Sequence, residues 1–127
     1  RGQWLVVYFY PKDDTPGCTK EACKFRDNLQ DITALGAQVL GVSMDNTESH
    51  KRFAEKYSLP FPLLSDGDGT VAKTYGALWS LGLIKFAKRH SFIIDPAGRI
   101  AKIYRDVQPE RHSQEITDDL KALQKTK

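Results

Sequence analysis

The chain has few residues with obvious chemistry: two cysteines, three histidines and one methionine in 127 residues. Two cysteines exclude the dense disulfide framework of a small secreted module. Cys18 and Cys23 could supply half of a zinc ligand set. However, no second pair at short spacing follows, and His50, His90 and His112 lie far along the chain. A four-ligand zinc finger is therefore excluded. No apolar run approaches the roughly 18 residues of a membrane-spanning helix, so a membrane partner is not expected. Charge of one sign is also scarce, with 19 basic against 16 acidic residues and a net charge of +3. Residues 1–63 carry eight of each sign. A local excess from Lys85 to Arg105 interleaves with apolar residues and has no Gly/aromatic RNA motif beside it. It reads as a solvated face, and nucleic acid is not an expected partner. No signal peptide is visible, but the chain opens at Arg1 and enters an apolar run at once. An incomplete N-terminus is the expectation, so targeting stays open.

What is present is ordinary for a globule: 40% hydrophobic and 28% charged residues over 1–127, the length of one soluble domain. Leu5 to Tyr10 is β-branched and aromatic and stops at Pro11, which predicts a buried strand. Thr15-Pro16 reads as a helix start, with threonine as N-cap and proline at the first helical position. Cys18, Ala22, Phe25, Leu29 and Ile32 then recur at helical spacing, and Gly36 caps the end. Val39–Met44 predicts a second strand. A helix follows, capped by Asp45 or Asn46, with His50, Phe53, Ala54 and Tyr57 on its apolar face. Leu63–Ser65 is a short strand and Thr70–Tyr75 a short helix. Gly76–Lys88 is read as a loop. His90–Asp95 and Arg99–Tyr104 predict a hairpin around Asp95-Pro96-Ala97-Gly98, before a last amphipathic helix with Ile116, Leu120 and Leu123. Strands alternating with helices, closed by an antiparallel hairpin, predict an α/β fold: a thioredoxin-like mixed sheet flanked by helices.

Counted from Thr15 as cap, Cys18 is the third helical residue. Unpaired N–H groups and the helix dipole favour an anion there, and a thiol in that setting is favoured as thiolate. The Thr15 hydroxyl is within reach of the Cys18 amide or sulfur. Cys23 lies five residues on, which turns its side chain roughly 140° away and puts the two Cα atoms about 8–9 Å apart on an intact helix. A disulfide needs Cα atoms within about 7 Å, so bridging requires the first turns to unwind. On the residues alone Cys23 can also be a small buried hydrophobe. A non-enzymatic redox switch and a general thiol–disulfide exchanger stay open too, although Cys-x4-Cys is not the exchanger's usual Cys-x-x-Cys.

Pro11-Lys12-Asp13-Asp14-Thr15-Pro16-Gly17-Cys18 carries the Pro-x-x-x-Thr-x-x-Cys signature of the peroxiredoxins. Tyr8 through Cys23 resembles the peroxiredoxin Q (bacterioferritin comigratory protein) branch, and Arg89-His90-Ser91-Phe92-Ile93-Ile94-Asp95 resembles its Arg-x-x-Phe-x-x-Asp strand. The resemblance implies thiol-dependent reduction of hydrogen peroxide and organic hydroperoxides. Cys18 would be the peroxidatic and Cys23 the resolving cysteine of an intramolecular disulfide. Thr15 and Arg89 would complete the site, the Gly17 and Cys18 amides would bind peroxide, and Pro11 would shield it. It further implies recycling by thioredoxin or a similar dithiol, no metal or organic cofactor, a monomer, and a cytoplasmic or organellar (for example chloroplast) location. On this resemblance the chain is expected to lack the family's N-terminal edge segment, either as a fragment or as a fold without that edge piece. The Leu78–Ile84 run is a candidate border of the site that admits alkyl groups, and equally a candidate core or dimer contact.

Overall fold

The computed structural model describes residues 2–81, 84–105 and 107–125. β1 (Trp4–Phe9) leads through a short loop into the long helix α1 (Pro16–Ala34). β2 (Ala37–Ser43), α2 (Thr47–Tyr57), β3 (Leu63–Ser65) and α3 (Thr70–Thr74) follow. Then come β4 (Leu78–Leu81), β5 (Ile84–Ala87), β6 (Ser91–Ile94), β7 (Ile100–Tyr104) and α4 (His112–Lys125). The main sheet has the order β3-β2-β1-β6-β7. β1 runs parallel to β2, and β2 to β3, whereas β6 and β7 are antiparallel to their neighbours. This is the mixed thioredoxin-like sheet that the element order predicts.

β1 sits at the centre and is buried on both faces, which is why its sequence is a continuous apolar run. Val6, Tyr8 and Tyr10 point to one side, against Phe25 and Ile32 of α1, Phe53 of α2, and Ile116 and Leu120 of α4. Val7 and Phe9 point to the other, against Val42, Ala72, Ala77, Ala87 and Phe92. Each such large apolar side chain contributes about 1.5–3 kcal/mol by leaving water. Tyr8 stacks on Phe25 with ring centroids 4.7 Å apart, which locks α1 to the middle of the sheet. Gly36 closes α1 at φ 78°, a left-handed position open to glycine at little cost.

One sequence expectation fails here. The segment read as a loop forms a second, two-stranded antiparallel sheet, with Leu78 opposite Ala87 and Ser80 opposite Lys85. Too few residues alternate on either arm for the period of two to stand out, and pairing across the hairpin supplies what propensity did not. Gly82 and Leu83 of the Leu78–Ile84 run lie outside the described residues.

Candidate active site

α1 begins where the sequence places it. Thr15 is the N-cap, with φ −92° and ψ 156°, and Pro16 opens the helix. The first intrahelical bond runs from Thr19 N–H to Thr15 O at 2.8 Å, so the Gly17 and Cys18 amides precede the ladder. The Thr15 side chain departs from expectation. Its hydroxyl donates to the Lys12 carbonyl at 2.9 Å and makes no capping bond to the helix. The turn from Lys12 to Thr15 supplies that carbonyl as the partner of the hydroxyl in place of a helix N–H. Thr15 therefore shapes the turn ahead of Cys18.

Cys18 is buried at 1% exposure, and its sulfur meets Arg89, whose Nη2 lies 3.4 Å from Sγ. Arg89 stands just before β6, 71 residues away in sequence. The backbone around it is pinned: Val107 N–H donates to Arg89 O at 3.1 Å and Phe9 N–H to His90 O at 2.8 Å. The guanidinium also donates from Nη1 to Glu21 Oε1 at 3.0 Å. Arg89 thus spans Cys18 and Glu21, one helical turn apart on α1. Desolvation opposes its charge, but the neighbouring Cys18 and Glu21 outweigh that and raise its pKa further. Gly17 makes room for this contact, because a Cβ there would come within 2.9 Å of Arg89 Nη2.

Glu21 was not singled out from the sequence. It is fully buried, and its Oε2 has no hydrogen-bond partner among the described residues. Burial pushes its carboxyl up to about 7, against the opposing attraction of Arg89. The signal was there: Cys18, Glu21, Ala22 and Phe25 form one stripe, and a glutamate on a buried stripe needs a cation.

Cys23 lies on the same unbroken helix, half-buried, and both cysteines are free thiols. It lines an open groove of about 410 Å³ with Asp14, Pro16, Thr19, Lys20 and Tyr57. As expected for an intact helix, the structure does not bring the two cysteines together. Pro11 is half-buried and lines a separate groove of about 400 Å³ with Lys12, Met44, Asp45, Lys85 and Phe86. The β4–β5 hairpin, through Lys85 and Phe86, therefore borders Pro11.

The loop from Pro11 to Thr15 carries a second polar cluster. Asp13 is 7% exposed. Its carboxylate accepts from Tyr10 Oη at 2.5 Å, Ser49 Oγ at 2.7 Å and His50 Nδ1 at 2.7 Å. His50 Nε2 donates to Leu64 O at 3.0 Å. Both ring nitrogens face acceptors, an arrangement that favours the imidazolium. Burial works against that charge, but the bond and the attraction from Asp13 raise its pKa. Asp13 is in turn held below the usual carboxylate range: desolvation raises it, and the bonds from His50, Tyr10 and Ser49 outweigh this.

Residues 1–103 match the AhpC/TSA family. The chain is 43% identical over 124 residues to a peroxiredoxin bcp of Coxiella burnetii, covering 94% of this chain and 82% of that protein. It is 45% identical over 128 residues to the chloroplastic peroxiredoxin Q of Sedum lineare, covering 100% of this chain and 67% of that protein. Against the chloroplastic peroxiredoxin Q of Populus jackii the identity is 45%, and the chain spans 57% of that protein's length. Among solved structures, a cysteine-to-serine mutant of Xylella fastidiosa PrxQ superposes with a TM-score of 0.90 at 38% identity, over 95% of this chain and 77% of that one. The Xanthomonas campestris bacterioferritin comigratory protein, studied for alkyl peroxide reduction, gives 0.90 at 36% identity, over 95% and 80%. This chain belongs to the AhpC/TSA family, in its peroxiredoxin Q branch of thioredoxin-fold thiol peroxidases.

Proposed function

We propose that this chain reduces hydrogen peroxide and organic hydroperoxides, with Cys18 as the peroxidatic and Cys23 as the resolving cysteine. The observation that carries this reading is the buried Cys18 sulfur at the start of α1, 3.4 Å from Arg89 Nη2. The Cys18 thiolate attacks one peroxide oxygen, the O–O bond breaks, and the leaving alkoxide or hydroxide takes up a proton. Negative charge moves from sulfur to the leaving oxygen. The Arg89 guanidinium and the Gly17 and Cys18 amides are fixed donors for both positions, in the manner of an oxyanion hole. Glu21 holds the guanidinium in place. Thr15 sets the turn that presents Cys18, and Pro11 closes the loop side.

Cys18 is left as a sulfenic acid. The Cys23 thiolate attacks its sulfur, hydroxide leaves and takes up the proton given up by the Cys23 thiol as water, and the disulfide forms. The helical geometry requires α1 to unwind locally for this step. A thioredoxin-type dithiol then exchanges with the disulfide and restores both thiols. The half-exposed position of Cys23 in an open groove supports such an attack. Both cysteines lie on one chain, which supports a monomer acting as a single domain with no cofactor. The location is read as cytoplasmic or organellar, and the chloroplastic relatives support the second. No helix among the described residues is long and apolar enough to cross a membrane.

Steady-state peroxide consumption with a thioredoxin system tests the assignment. Cys18→Ser should abolish turnover. Cys23→Ser should complete one turnover and then stall. Full turnover by Cys18→Ser would sink the proposal.

A further inference from the structure

We propose that the Asp13–His50 ion pair is a positioning clamp that holds the loop preceding α1 and thereby sets how readily Cys18 leaves Arg89 to reach Cys23. The inference rests on the two-cysteine peroxidase reading above, and it concerns the conformational step between its two chemical ones.

Pro11 to Thr15 joins the end of the central strand to the cap of α1, and Cys18 lies three residues past that cap. The Asp13 carboxylate is bonded to Tyr10 beside β1 and to Ser49 and His50 in α2. Its own N–H donates to Asp45 Oδ2 at 2.7 Å, and Asp45 is itself held by Ser43 Oγ at 2.8 Å. His50 carries the clamp on to Leu64 O in β3. A single loop residue is thus tied directly to α2 and to Tyr10 just past β1, and through Asp45 and His50 to β2 and β3. Asp14 adds a second hold: at φ 59° it accepts from Lys56 Nζ at 2.8 Å and Tyr57 Oη at 2.7 Å. α2 therefore grips the loop at two successive residues.

Asp13, Asp45 and His50 are also close enough to suggest a cation site, with ligand atoms within 4.8 Å of one another. His50 Nδ1 lies 2.7 Å from Asp13 Oδ2, a hydrogen-bond distance, and Nε2 faces Leu64 O at 3.0 Å, so the ring is engaged in the network on both sides. The cluster is a charged hydrogen-bond network, and such buried networks specify one local conformation. Here the conformation specified is the one in which the cap of α1 is formed and Cys18 meets Arg89. Unwinding the first turns of α1 pulls on this anchor.

The resolving step competes with further oxidation. Sulfenic acid on Cys18 either condenses with the Cys23 thiol, losing water, or attacks a second peroxide, giving sulfinic acid and an alcohol or water. A looser clamp raises the unwound fraction and favours the disulfide. The experiment uses the whole reduced chain, hydrogen peroxide in a concentration series without reductant, and mass spectrometry of the disulfide against the sulfinic product. A graded set, Ser49→Ala, His50→Gln and Asp13→Asn, guards against one variant failing to fold. Ser49→Ala removes a single bond from the rim of the cluster. The peroxide concentration giving half sulfinic product should rise in that order, reaching about tenfold for Asp13→Asn, the equivalent of 1.4 kcal/mol on the unwinding equilibrium. Asp13→Glu, which keeps the charge, should fall back toward wild type. A role confined to global stability would shift unfolding midpoints and leave the product ratio where it is. If wild type forms the disulfide and the folded variants keep its product ratio, the clamp is overturned. A wild-type chain that forms no disulfide overturns the peroxidase reading and the clamp with it.

Discussion

Glu21→Gln exchanges a buried carboxyl for a neutral group of the same shape. Burial raises the Glu21 pKa from the ordinary 4.5 to about 7, with Arg89 opposing. Between those values the native state binds more protons at this site than the unfolded chain, so stability falls as pH rises through the window. The cost is absent below the unfolded value and complete above the folded one. The full gap corresponds to about 3 kcal/mol. Across a practical range of about pH 5 to about pH 8, about 2–3 kcal/mol of it develops. The variant titrates nothing at this position, and the other groups cancel in the difference. The assay is urea unfolding of both reduced proteins at several pH values. The stability of wild type relative to Glu21→Gln should drop by about 2–3 kcal/mol over that range, or about 10 °C in relative Tm. A constant difference would refute the reasoning. A difference that grows with pH would show that the attraction of Arg89 at 3.0 Å outweighs desolvation.

Gly17→Ala places a methyl 2.9 Å from Arg89 Nη2, in a helical position where alanine is otherwise favoured. The fold should persist while the guanidinium moves off Cys18, and the stopped-flow rate of Cys18 oxidation should fall about tenfold or more, within the range for losing one oxyanion-type donor. Asn46→Ala removes the side-chain acceptor that caps α2 at Ser49 N–H, 2.8 Å away. Thermal unfolding should show a loss of about 1 kcal/mol, with peroxide chemistry little changed.

What was legible in the sequence follows the range of each interaction. β1 and the Cys18–Ile32 stripe are local patterns, so the central strand, the long helix and its cap at Thr15 came through. The hairpin of β6 and β7 was equally local, with Gly98 at φ 89° closing its turn. β4 and β5 were missed because their pairing, not their propensity, makes them strands. At the site, the resemblance supplied Arg89, and no spacing rule links residues 71 apart. Glu21 could have been found as a charge on a buried stripe. The partnership of Asp13 with His50 could not, because it depends on how α2 packs beside the β1–α1 loop. The hydroxyl of Thr15 shows the opposite limit: a cap residue was rightly placed, but its nearest acceptor proved to be Lys12 O.

The central claim is that Cys18 and Cys23 carry two successive steps of one reaction. Stoichiometric titration of the reduced chain with hydrogen peroxide, followed by peptide mass spectrometry, tests it most directly. The account predicts one equivalent consumed, both thiols lost together, and a linked Cys18–Cys23 peptide lighter by two hydrogens. Oxygen added to Cys18 at one equivalent with Cys23 still a thiol, or no consumption beyond that of free cysteine, would contradict it.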